Sequence, residues 1–151
     1  HPIFGGGFHA VQYQATWEAF RLYGGLLPFV YIPDVPVIAK AAHSIYFEVM
    51  GDLGFVGLFL FLAILGNALL TRFEIKRLCA GNPQLGWAKS MADLLAVSIV
   101  AYMVSGAGVS LGYFEPMYVL VALMEAIKQV ARRDRAADVG NERDRQSVFS
   151  N

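Results

Sequence analysis

Two stretches of this chain carry no charged residue, Leu53–Leu70 and Leu94–Phe114, and they limit it to folds built on long apolar helices. About 18 such residues meet the lower range for a helix crossing roughly 30 Å of hydrocarbon. The composition agrees. Of 151 residues, 56% are hydrophobic and 16% charged, against roughly 25% charged in average soluble domains. The formal net charge is +0, so the total gives no signal for a nucleic-acid or acidic partner. Cys79 is the single cysteine, which leaves no internal disulfide to consider.

In chain order, Gly5, Gly6 and Gly7 interrupt the opening HPIFGGGFHA. Their spacing fits neither the dinucleotide fingerprint nor the P-loop, so a flexible turn is the simpler expectation. From Val11 to Tyr23 the spacing of Val11, Ala15, Ala19 and Leu22 predicts a helix, ended by Gly24-Gly25. Pro28, Pro33 and Pro36 then impose an extended path. A short helix is expected from Ile38 to Met50, and a first membrane helix over 52–70. The basic loop 71–89 turns at Asn82-Pro83. A second membrane helix is expected over 91–113. Glu115-Pro116 opens a third over 115–130, the weakest of the three because its apolar run ends at Met124. Glu125 and Lys128 stand at i,i+3 and can pair. Residues 131–151 mix arginines with acids and are expected to be a disordered tail.

Lys and Arg concentrate in 71–89 and 128–135, which places those segments on the cytoplasmic side. Residues 1–51 then form an extracytoplasmic loop, periplasmic in a bacterium, with short amphipathic helices. The expected fold class is all-α: a polytopic membrane protein fragment with that helical loop followed by two to three membrane helices. Starting at His1-Pro2, the chain is expected to be the C-terminal piece of a longer protein. Further N-terminal helices of that protein would be among its partners.

For chemistry, His1, His9 and His43 have no HxxxH or Cys/His companions, so no metal site is expected. No cofactor is expected either. No GxSxG elbow is present, and Ser44 beside His43 is not a nucleophile–base pair. His43 is the best candidate, because an imidazole suits proton removal at neutral pH. Tyr46 lies three residues on and can share its helix face. Glu48 and Asp52 can order the helix or the histidine, with Asp52 also suited to capping the spanning helix. Arg21 and Lys40 are the cations of the outer segment and candidate contacts for a phosphate.

The block AHSIYFEVMGDLGFVGLFLFL resembles the signature of the O-antigen ligase family. In that signature a His and a polar residue lead through an acidic-Gly-Leu-Gly step into a membrane helix. HPIFGGGF resembles the family's Pro-hydrophobic-Gly-x-Gly segment, and the two blocks stand in the family's order. The triple Gly, HSIYFEV and GYFEPMY are most similar to O-glycosylation ligases associated with exosortase systems.

The resemblance implies a bacterial inner-membrane, GT-C-like glycosyltransferase. It would move a glycan from an undecaprenyl diphosphate carrier to a lipid or protein hydroxyl. His43 would activate that hydroxyl without a metal. Ser44 stands where the family often has Asn, and the family's key Arg lies upstream of the Pro-Gly block. Nucleic acid is not an expected partner. Other classes are a polysaccharide polymerase or transporter subunit, for which the spans offer few polar residues, and a non-catalytic membrane scaffold.

Overall fold

A computed structural model of the chain describes residues 3–16, 18 and 41–149. Among the described residues there is no strand; the protein is all-helical. Three long helices, α1 (Ile45–Leu78), α2 (Gly86–Ser105) and α3 (Glu115–Phe149), follow one another, with single 3-10 turns at Ala10–Gln12, Pro83–Leu85 and Gly106–Gly108. The chain divides into two compact units. The first is His1–Leu62 with Met103–Phe114, the second Ala63–Tyr102 with Glu115–Asn151.

The first unit is organised on the head of α1. The carbonyl of Ser44 accepts the first helical bond, from the N–H of Glu48 at 2.9 Å. The helix is broken once, at Gly54, whose φ of 69° and ψ of −166° lie in a region essentially reserved for glycine. The break frees backbone groups that water or another segment must satisfy. Residues 3–7 do so. Gly6 N–H donates to the Gly51 carbonyl and Gly7 N–H to that of Asp52, each at 2.9 Å. Val56 N–H donates to the Ile3 carbonyl at 3.3 Å. The approach leaves no room for side chains. A Cβ on Gly5 would lie 2.3 Å from the Asp52 carbonyl oxygen, and one on Gly54 2.3 Å from that of Ile3. The triple glycine is therefore a strap bonded along α1, close-packed at Gly5 and open at Gly7, not a loose turn.

In the second unit the buried positions trace a narrow stripe on each helix. Leu65, Ala68, Ile75 and Cys79 belong to α1 and its end, Ala88, Ala92, Leu95, Ala96 and Ile99 to α2, and Met117, Met124, Ile127 and Ala131 to α3. Steps of three, four and seven keep each stripe on one side. Alanines on α2 permit close approach. The opposite faces remain apolar and exposed, including Leu70, Phe73, Leu94 and Val97. Hydroxyls in these helices bond the turn behind them: Thr71 Oγ1 donates to the Asn67 carbonyl at 2.9 Å and Ser98 Oγ to that of Leu94 at 3.1 Å.

Two helical stretches, Ile45–Leu78 and Pro83–Gly108, are long and apolar enough to cross a membrane. Only 22% and 33% of their most apolar windows are buried, whereas the core helix of a soluble protein hides most of its surface. The expected third membrane helix does not join them, because α3 turns polar after Met124.

Helix limits differ from the sequence expectations in four places. The helices expected over 38–50 and 52–70 follow one another in α1, but the first starts at Ile45, the break between them falls at Gly54, and the second runs on to Leu78. The expected 91–113 helix starts earlier, at Gly86, and ends at Ser105, where Gly106–Gly108 tighten into a 3-10 turn. Of the expected Val11–Tyr23 helix, the start belongs to the Ala10–Gln12 turn and Tyr13 is extended, residues 14–16 and 18 are helical, and the remainder lies outside the described residues. The expected disordered tail continues α3 to Phe149. Cross-helix polar bonds anchor its first turns. Arg132 reaches Glu74 at 3.2 Å, and Arg135 Nη1 donates to the Arg77 carbonyl at 2.9 Å. Lys128 pairs with both Glu125 and Glu74. The Asn82-Pro83 turn is where the sequence puts it. Asn82 accepts from Gln84 N–H at 2.9 Å and donates to Asp138 at 2.6 Å.

Candidate functional site

His43 sits one residue ahead of the α1 cap, and its backbone is fixed. Its φ is +47°, an uncommon left-handed conformation for any residue but glycine. Its N–H donates to Ser110 Oγ at 2.8 Å. The imidazole is exposed and has no hydrogen-bond partner among the described residues. The neighbouring Ser44 is buried.

Below His43, residues 44, 48 and 52 share one face of α1 over about 12 Å. All three are buried, Asp52 completely. The segment Ser110–Tyr113 runs beside them. Glu48 accepts the N–H of Gly112 at 2.8 Å, and a Cβ on Gly112 would meet that carboxylate at 3.1 Å. Asp52 accepts three donors: His9 N–H at 2.8 Å, Ala10 N–H at 2.9 Å and Tyr113 Oη–H at 3.0 Å. A buried carboxylate needs such donors to remain in place. Asp52 therefore does not cap the spanning helix. It caps the Ala10–Gln12 turn and ties the glycine strap to α1.

Of the sequence-selected residues, His43 and Tyr46 lie in this unit. Tyr46 is half-buried, and its hydroxyl donates to the Met103 carbonyl at 2.8 Å, which commits that proton to the end of α2. Arg21 and Lys40 lie outside the described residues. His9 was not selected from the sequence, yet it belongs here. Its φ is +59°, and the Tyr113 ring stands edge-on to it, with centroids 6.2 Å apart. The Phe8 ring lies tilted against the same Tyr113 ring, with centroids 5.4 Å apart. The signal that could have found it is its place just after the glycine block, in GGGFHA, which is weak until Asp52 is seen holding two successive amides.

No group of three or more His, Cys, Asp or Glu able to hold a metal ion occurs among the described residues. Burial pushes the Cys79 thiol up, with Lys89 pulling the other way. A buried thiol so placed is a packing group rather than a nucleophile. What the arrangement offers is an exposed imidazole on a backbone held by Ser110, in reach of a hydroxyl brought to it.

The class defined so far is an all-helical protein with two membrane-length helices and a polar head built on the first. No protein-family model matches the chain, and no curated protein or solved structure matches it.

Proposed function

We propose that this chain is the catalytic C-terminal part of a multi-pass bacterial inner-membrane glycosyltransferase, GT-C-like and similar to the O-antigen ligases. The donor is a glycan on undecaprenyl diphosphate and the acceptor a lipid or protein hydroxyl. His43 takes the acceptor proton. The acceptor oxygen forms the new bond to the anomeric carbon as the bond to the diphosphate oxygen breaks, and the carrier diphosphate leaves with that electron pair.

The observation that carries this reading is the joining of the two motif blocks. The glycine block and the block that begins at His43 are far apart in sequence, yet Gly6, Gly7, His9 and Ala10 all bond to Gly51 or Asp52. That joining leaves His43 exposed at one end of a rigid unit, as a general base for a large substrate requires. The competing scaffold reading draws support from Tyr46, Glu48 and Asp52, each of which makes a side-chain hydrogen bond that holds the unit together.

The His43→Ala variant of the full-length protein decides between them. The expected result is a fall in transfer of about 100-fold or more, with membrane insertion unchanged. Transfer at the wild-type rate rules out the proposed base.

A further inference from the structure

We propose that the end of the second unit where α1 and α3 meet binds anionic phospholipid. Arg77 and Arg133 hold the headgroup phosphates, and the apolar faces behind them take the acyl chains. The inference rests on α1 crossing a membrane and does not involve His43. It starts from a pattern that the two helices share. On α1, Leu70, Phe73 and Arg77 follow at steps of three and four. On α3, Leu123, Val130 and Arg133 follow at steps of seven and three. Each set lies on one face of its helix, and all six side chains are exposed. Each exposed track is apolar and ends in a cation.

The two tracks end together. Arg132 Nη2 donates to Glu74 at 3.2 Å and Arg135 Nη1 to the Arg77 carbonyl at 2.9 Å. Contacts that advance by three residues on both helices mean that α1 and α3 run side by side in one direction here. Arg133 therefore stands within about 3 Å of the level of Arg77 along the pair. Arg77 lies about 10 Å past Leu70, the last residue of the uncharged run, at the depth of headgroups rather than of hydrocarbon. The exposed Trp87, just beyond the Asn82-Pro83 turn, marks the same end with an interfacial aromatic.

Neither cation is neutralised from within. Among the described residues Arg77 and Arg133 make no ion pair, while Arg72 and Lys76 share Asp93, and Lys128 and Arg132 share Glu74. The helical neighbours of Arg133 three and four positions away are Gln129, Val130, Ala136 and Ala137, none of them acidic. Those of Arg77 include one acid, Glu74, which the other two cations already use. A guanidinium at the end of an apolar face fits a ligand with one oily and one anionic end. A soluble anion would leave the track in water, and a zwitterionic lipid brings its own cation beside the phosphate. Charge-assisted bonds from Arg to phosphate are strong, and basic residues beside a membrane helix attract anionic lipid.

The test uses the full-length protein in phosphatidylcholine vesicles. Trace spin-labelled phosphatidylglycerol or spin-labelled phosphatidylcholine is the probe, and the fraction of label immobilised on the protein is the readout. The expected result is a preference for phosphatidylglycerol of about fivefold, falling about threefold or more in Arg77→Gln/Arg133→Gln and weakening at high salt. Arg72→Gln/Arg132→Gln removes the same charge from cations that already share an acid, and should leave the preference within about twofold of wild type. Circular dichroism of both double variants serves as the control for folding. A preference that survives Arg77→Gln/Arg133→Gln overturns the assignment. So does an equal loss in the two double variants, which would mark net charge rather than these two residues. Equal immobilisation of the two lipids by the wild-type protein overturns it as well, and would leave the apolar faces to uncharged lipid or to another helix.

Discussion

The two units of this protein fix their polar groups by opposite means. In the first, buried carboxylates accept hydrogen bonds from neutral donors, and glycine lets backbone meet backbone without side chains between. In the second, charged side chains meet on the surface. Arg72 and Lys76 share Asp93 at 2.5 and 3.0 Å, and Lys128 and Arg132 share Glu74. The first arrangement is rigid and intolerant, because each buried acceptor is matched to specific amides. The second is adjustable, since exposed ion pairs contribute little each and are screened by salt. A site that must hold an imidazole in a disfavoured backbone conformation belongs in the rigid kind. A basic, solvated helix end needs only the other.

Substitutions should separate the two kinds sharply. The largest effect is expected for Gly54→Val, which puts a β-branched residue at a glycine-only conformation and a Cβ against the Ile3 carbonyl. A loss of about 4 kcal/mol or more is expected, read as loss of the folded first unit by hydrogen exchange while amides of the second stay protected. A second unit that unprotects equally would show that the contrast is not one of independent stability.

Asp52→Ala comes next. It leaves two amides and a tyrosine hydroxyl without their acceptor, at a cost of about 3 kcal/mol. The His9, Ala10 and Gly7 amides should exchange first, and unchanged protection there would break the capping assignment. The smallest effect is expected in the second unit. Glu74→Gln removes a half-exposed partner of Lys128 and Arg132 and should cost about 0.5 kcal/mol, vanishing at high salt. A larger, salt-insensitive loss would move this pair into the rigid class.

Much of the helical plan was legible from residue order. The two uncharged runs mark α1 and α2, Asn82-Pro83 marks the turn between them, and Glu125 with Lys128 marks a pair that forms. The break in α1 was legible only nearly: residue order puts a boundary between Met50 and Asp52, and the break stands at Gly54. Gly51, Gly54 and Gly57 are equivalent in composition, and only the crossing of residues 3–7 singles out Gly54. The length of α3 was missed for another reason. Its arginines and acids read as a solvated tail, and nothing in the local sequence shows that Glu74 and the Arg77 carbonyl stand where Arg132 and Arg135 can use them. His43 was legible as a candidate. Its fixed backbone was not, since Ser110 lies 67 positions away.

By itself the sequence determined that apolar helices dominate, where they turn, and which side of the chain is basic, because those follow from local periodicity and charge. Tertiary structure alone decided what Asp52 does. A carboxylate beside a membrane-length helix can cap it, pair with a cation or reach elsewhere. Here three donors from two distant segments outcompete the local cap, and through them the glycine block and His9 join His43 in one unit.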